Sequence, residues 1–229
     1  IWLMIQGRAP EVEEARLLEA ALVASVDHGP QAPAIAAARM AVSCGNSLNH
    51  ALASAVNMIG DVHGGAGEQC LELMQKVKDL LDAGENLEAS VAEEIARHCQ
   101  TQGKFIPGFG HRFHKPEDPR APRLMELVSI AEGDKIVSGN FMRIGLEIQR
   151  QLSQGKNTGI AMNIDGATAV IFGELGFAPP LARGLFCLSR SVGILAHAWE
   201  QKKQGGRNKG PTPPEFLWNY TGKNPLKGE

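Results

Sequence analysis

Tyrosine occurs once in the 229 residues and aromatics make up only 5%. They are not interleaved with Lys and Arg, as a surface that stacks single-stranded bases would require. A formal charge of −2 leaves no broad basic field for a polyanion, so no nucleic acid partner is expected. No apolar run approaches the roughly 20 residues that cross a bilayer, and no membrane partner is expected. The opening Ile1-Trp2-Leu3-Met4-Ile5 lacks the basic start and cleavage site of a signal peptide, which points to the cytoplasm. Cys44, Cys70, Cys99 and Cys187 form no Cys-x-x-Cys pair; buried thiols are expected rather than disulfides. The seven histidines form no His-Glu-x-x-His pattern, so no metal is expected.

Strand signals are also scarce, because almost no segment alternates apolar and polar residues with β-branched and aromatic enrichment. Helical spacing dominates instead. Glu11 to Val26 carries apolar residues near helical spacing, with acidic residues in its first turn, after Pro10. Pro33 to Ile59 is Ala-rich, with Gly45 as a break. Further helices are expected over Gly67–Ala83, Leu87–Gln100, Pro122–Glu132, Lys135–Leu152, Ile160–Gly173 and Pro180–Gln201. Together these predict an all-α protein of roughly eight to ten helices. With 43% hydrophobic and 21% charged residues, the chain can bury the core of one compact domain, or of a large domain with a smaller lobe.

Three segments place proton-carrying or anion-binding residues beside glycines. In Gly60-Asp61-Val62-His63-Gly64-Gly65-Ala66-Gly67 the glycines let backbone approach a ligand and leave amides to hold a carbonyl or anion; the alternative is a structural histidine in a turn. Gly108-Phe109-Gly110-His111-Arg112-Phe113-His114-Lys115, followed by Asp118-Pro119-Arg120, suits a substrate bearing carboxylates and phosphates, or is a solvated basic loop. In Asn163-Ile164-Asp165-Gly166 a carboxylate interrupts an apolar stretch, so Asp165 is either a helix cap or a catalytic base.

Taken in order, Asp27-His28-Gly29, Val62-His63-Gly64-Gly65-Ala66, Gly108-Phe109-Gly110-His111-Arg112 with Asp118-Pro119-Arg120, Asn163-Ile164-Asp165 and Ser189-Arg190 resemble the citrate synthase superfamily. The likeness runs from the Asp-His-Gly segment to Tyr220-Thr221-Gly222. It implies a mostly helical homodimer or higher homo-oligomer. Residues 1–67 and 183–229 would form a large domain, and residues 68–182 a small lobe that binds coenzyme A. By the resemblance, His63 stabilises the enol of a thioester, His111 polarises a ketone, and Asp165 exchanges a proton with the acetyl methyl group. His28, Arg120 and Arg190 would bind substrate carboxylates, and Phe186 would lie beside the bound ketoacid. Phe105, Pro107, Gly108, Phe109, Gly110 and Lys115 would contact coenzyme A, which enters as a thioester substrate with citrate or oxaloacetate; no tightly bound cofactor is implied.

Two departures bear on the direction of reaction. The segment before Tyr220 lacks the arginine that the family places there, and Arg207 is the nearest replacement. Gly166 follows Asp165, which resembles the citryl-CoA lyase module of ATP-citrate lyase and the free-standing bacterial citryl-CoA lyases. No Gly-x-x-x-x-Gly-Lys-Ser/Thr phosphate loop is present; if citrate is to be activated, another protein is expected to do it. The expected function is cleavage of citryl-CoA to acetyl-CoA and oxaloacetate. The alternatives are condensation of an acyl-CoA with oxaloacetate or another 2-oxoacid, and a non-catalytic coenzyme A-binding subunit, against which the intact His63, His111 and Asp165 argue.

Overall fold

The computed structural model describes residues 1–111, 114 and 117–211. Among them ten α-helices carry the regular structure: α1 (Trp2–Gln6), α2 (Val12–Ser25), α3 (Pro33–Ser43), α4 (Leu48–Val56), α5 (Ala66–Asp82), α6 (Leu87–Thr101), α7 (Ala121–Gly133), α8 (Asn140–Ser153), α9 (Ile164–Glu174) and α10 (Pro179–Gln204). The all-α expectation holds. No helix is long and apolar enough to cross a membrane among the described residues.

The long Ala-rich stretch divides where expected: Gly45 has φ +97°, a left-handed conformation that ends α3 before Ser47 opens α4. Four features differ from the sequence reading. Of the four thiols expected to be buried, Cys70 is buried and Cys187 half-buried, but Cys44 and Cys99 are exposed near helix ends. Helix α1 was not anticipated; it is anchored by the buried Trp2, whose ring meets Phe177 edge-on at 5.5 Å. Helix α8 starts at Asn140 rather than Lys135, because Lys135 and Gly139 both take positive φ. Helix α9 starts at Ile164 rather than Ile160, because Gly110 and Asn163 pair by backbone hydrogen bonds with Ala161 and Gly108 and hold residues 160–163 out of the helix.

Helix α9 is the central element: from Ile164 to Gly173 every residue but Asp165 is buried. A helix that is apolar all round belongs in a core. The main buried cluster surrounds it with Leu17 and Leu18 of α2, Leu71 and Met74 of α5, Val128 of α7 and Ile144 and Ile148 of α8. A second cluster joins α3, α4 and the far half of α10 through Ala34, Ile35, Ala38, Ala51, Ala55, Ile194 and Ala198. Small side chains let these three helices approach closely. Helix α10 serves both clusters, since its near half buries Ala182 and Leu185 in the first.

The start of α8 is capped from another helix. Gly139 offers no side chain, and the Glu174 carboxylate at the end of α9 accepts from Gly139 N–H at 2.9 Å, Phe141 N–H at 2.7 Å, Met142 N–H at 3.2 Å and Ser138 Oγ at 3.0 Å. Glu174→Ala leaves those donors without an acceptor and is expected to lower stability by about 1–3 kcal/mol. A urea midpoint unchanged from wild type would contradict this.

Candidate active site

The three glycine-flanked segments and two further elements meet around the start of α9. The 105–111 loop is fastened to the strand-like stretch before that helix: Gly110 N–H donates to Ala161 O at 2.7 Å, Asn163 N–H to Gly108 O at 3.0 Å and Asn163 Nδ2 to Gly110 O at 2.7 Å, and Phe109 and Met162 form an isolated antiparallel bridge. The contact tolerates no side chain at its centre. A Cβ on Gly108 would lie 2.6 Å from Cys70 Sγ and 2.8 Å from Gly166 Cα, and one on Gly166 would meet Met162 Cγ at 2.7 Å as well as the Gly108 carbonyl. The loop is therefore a fixed part of the site rather than a solvated excursion.

Asn163, not Asp165, caps α9. Its Oδ1 accepts from Asp165 N–H at 2.9 Å and Gly166 N–H at 3.2 Å, so the Asp165 side chain is not the cap of this helix. Asp165 keeps some solvent contact, but desolvation by the protein around it raises its proton affinity above the ordinary carboxylate value. The charges of Arg190, Arg120 and His111 oppose that rise without cancelling it.

His63 lies in the turn between α4 and α5, closed by Gly60 N–H on His63 O at 2.8 Å. Its Nε2 accepts the Ala34 N–H at 3.3 Å, one of the amides left open in the first turn of α3. A ring nitrogen that accepts cannot carry the proton, so the neutral ring presents Nδ1–H as a donor. Burial, then the charge of Arg190, pushes the imidazolium form below its usual range, so the ring stays neutral.

The second imidazole is held in a comparable way. His111 Nδ1 accepts the His114 N–H at 2.9 Å, which leaves Nε2 to carry the proton of the neutral ring. Burial and then the neighbouring His114 hold its imidazolium form below the ordinary value. The His114 ring lies 4.3 Å from that of His111, and His28 approaches it edge-on at 5.6 Å. His28, from the loop after α2, is likewise lowered by burial and by Arg190 and Arg120.

The two arginines are positioned by different means. Asp118, whose side chain is fully buried, grips Arg120 through Nε at 2.9 Å and Nη2 at 2.8 Å, while Arg120 Nη1 reaches Ala24 O at 3.1 Å. Burial acts to raise the Asp118 carboxyl, but Arg120 and the Arg120 and Ile164 amides outweigh it and hold it at about 2. Arg190, buried on α10, donates from Nε to Ser25 O at 3.1 Å and stacks its guanidinium 4.7 Å from the centre of the Phe186 ring. Phe186 in turn fills the space beside Gly64, where a Cβ would sit 2.8 Å from its Cε1.

A cavity of about 500 Å³ opens beside His111, lined among others by Gly110, His114, Asp118, Lys156 and Ile160. Of the expected coenzyme A contacts, Gly108, Phe109 and Gly110 lie in the fastened loop, with Pro107 leading into it. Phe105 stands 81% exposed, and Lys115 falls outside the described residues, as does the tail from 212 that lacks the family's arginine. His111, His114 and Asp118 bring three potential ligand atoms within 4.8 Å of one another. The Asp118 oxygens are already engaged by Arg120 and by the Ile164 N–H, and a cation would face Arg120, so the cluster is suited to hydrogen bonding more than to a metal. Sequence reasoning passed over Asp118, Asn163 and the Ala34 amide as parts of the site. The Asp-Pro-Arg and Asn-x-Asp spacings were a usable signal for the first two; nothing local marks a contact between residues 34 and 63.

A model of the family described as citrate synthase, C-terminal domain, matches residues 1–211. The citrate synthase of Acidithiobacillus ferridurans is 26% identical over 212 residues, covering 91% of this chain and 52% of that protein. The structure of citryl-CoA lyase from Hydrogenobacter thermophilus superposes with a TM-score of 0.81 at 33% identity, covering 98% of this chain and 83% of that one. ATP citrate lyase from Methanothrix soehngenii, in complex with citrate and coenzyme A, gives a TM-score of 0.80 at 25% identity, covering 100% of this chain and 37% of that one. The chain spans about half the length of the curated relatives it matches. The family match takes in all ten helices and each described residue of the site, and on that ground the chain belongs to the citrate synthase family.

Proposed function

We propose that this protein cleaves citryl-CoA to acetyl-CoA and oxaloacetate. The observation that carries the reading is the pairing of two imidazoles, each with one nitrogen tied to a backbone amide, with a carboxyl whose proton affinity is raised. Cleavage turns the citryl hydroxyl into a ketone and the thioester arm into an enol. The hydroxyl proton leaves to solvent as the carbon–carbon bond breaks while His111 Nε2–H donates to the oxygen that becomes the ketone, His63 Nδ1–H supports the thioester oxygen as it gains charge, and Asp165 delivers its proton to the enol carbon. One proton leaves the hydroxyl and one reaches the new methyl group, so the reaction is balanced. Arg120, Arg190 and His28 hold the carboxylates, with Phe186 packed beside them. The 105–110 loop, Lys115 and the cavity beside His111 receive the coenzyme A portion.

Condensation is the second reading, favoured by relatives described as citrate synthases. It uses the same groups in reverse: Asp165 removes a methyl proton, and His111 Nε2–H donates to the ketone oxygen while that oxygen takes a proton from solvent. Leu188, Val192, Leu195 and Trp199 are exposed at helical spacing along α10, which supports assembly as a homodimer.

The deciding experiment offers the purified protein citryl-CoA, with oxaloacetate followed through malate dehydrogenase, beside acetyl-CoA plus oxaloacetate with a thiol reagent. Fast cleavage with feeble thiol release is expected. Fast thiol release would replace the lyase reading with the synthase one, and silence in both would leave a coenzyme A-binding subunit.

A further inference from the structure

The turn that carries His63 is rich in glycine, at 60, 64, 65 and 67, and such a turn does not hold one shape by itself. Three outside contacts fix it. The Ala34 amide meets the ring, Phe186 lies against Gly64, and Arg183 grips both shoulders. Arg183 Nη2 donates to Asp61 Oδ1 at 2.6 Å, and its Nε pairs with Glu68 Oε2. Asp61 stands two residues before His63, and Glu68 lies in the first turn of α5 just after the glycines. The Asp61 carbonyl is also taken by Gln69 Nε2 at 3.1 Å.

Arg183, Phe186 and Arg190 fall at i, i+3 and i+7 on α10, one face of a helix. That face thus delivers a clamp for the turn, an aromatic against its glycine and a cation beside its histidine. The pairing adds little to overall stability: Asp61 is 78% exposed, though Glu68 is only 14% exposed, and ion pairs in such settings contribute weakly. What a planar guanidinium adds is a fixed angle between two carboxylates.

We propose that Arg183 is a positioning residue that acts through His63, holding its Nδ1–H where the thioester oxygen develops charge. The proposal rests on the reading of His63 as the thioester donor. Arg183 touches no group assigned to the substrate carboxylates, so its loss should disturb the reacting geometry more than ground-state binding.

The test is a double-mutant cycle on citryl-CoA turnover with full-length protein. Arg183→Met is expected to lower kcat about ten- to a hundredfold, the range that a displacement near 1 Å costs, with KM little changed. Arg183→Lys, a point charge that cannot span both carboxylates at one angle, should fall between Arg183→Met and wild type. In a His63→Ala background, Arg183→Met should cost nothing further. Wild-type kcat in Arg183→Met, or an undiminished further loss in the His63→Ala background, would overturn the proposal. Where thermal melts show that Arg183→Met does not fold, Asp61→Ala removes the exposed partner and decides the matter by the same kcat criterion. If His63→Ala alone turns over like wild type, the assignment of His63 fails and takes this proposal with it; if His63→Ala collapses and Arg183→Met does not, only the proposal fails.

Discussion

Asp165→Asn is expected to lower citryl-CoA turnover by about a thousand- to ten-thousandfold, the range of a positioned general acid or base, while leaving the helices in place. An amide has the carboxyl's shape but can neither deliver a proton to the enol carbon nor take one from the methyl group. Because Asn163 supplies the cap of α9, the substitution removes no helix-terminal hydrogen bond, and loss of activity cannot be attributed to loss of the helix. Stability should move the other way. Burial raises the Asp165 proton affinity in the folded chain, so folding favours the neutral carboxyl. The stability this group contributes is present in full below its ordinary value of 3.8 and is lost as pH rises through the raised folded value. The Asn variant, which never ionises, should therefore be more stable than wild type at neutral pH, and its advantage should shrink as pH falls. Urea midpoints compared at neutral pH and near the ordinary carboxylate range measure this. A variant that is less stable at every pH, or one with near-normal turnover, would remove Asp165 from its assigned role.

His63→Ala should cost about a hundred- to a thousandfold in kcat, as removal of one donor from a developing oxyanion does. The loss is electrostatic and local in origin. The Ala34 N–H fixes which nitrogen accepts, burial and Arg190 keep the ring neutral, and the remaining N–H is then a donor that needs no reorganisation when charge appears. Affinity for the carboxylate end should change little, since Arg120, Arg190 and His28 are untouched. Exchange of the acetyl-CoA methyl protons into D2O, read by NMR, isolates the enol step from carbon–carbon chemistry and should fall in parallel. Exchange at the wild-type rate would place the thioester's donor elsewhere.

Much of this architecture was legible in the sequence because helices announce themselves locally. The apolar spacing in residues 11–26 and 67–100 and the glycine at 45 lie within one or two residues of the helix ends. The errors have a common cause. Residues 160–163 have helical composition, yet they are held extended by partners about fifty residues away; the five residues before Asn140 are displaced by a left-handed Lys135 and by a carboxylate from another helix. Helix α1 is short, and its anchor is a contact between residues 2 and 177. The site shows the same division. Side chains with chemistry to offer are recognisable by type and neighbours, as His63, His111, Asp165, Arg120 and Arg190 were, and the structure brings them around the start of α9. Of the groups that hold them, the Ala34 amide and Arg183 act across the fold and the His114 amide through a backbone atom common to every residue, while Asp118, two residues from Arg120, was within local reach.

The contact between Gly108 and Gly166 bears on how the family diverges. The glycine after Asp165 is one of the features by which this chain resembles the lyases, and it invites a chemical interpretation. Its surroundings give it a steric one: a carbonyl of the His111 loop occupies the space a side chain would need. A descendant carrying alanine at 166 would have to set that loop back by about the width of a methyl group, moving His111 relative to Asp165. Substitutions at 108 and 166 should therefore be coupled through the course of evolution, and a glycine without a side chain of its own would mark lineages by the spacing of His111 and Asp165.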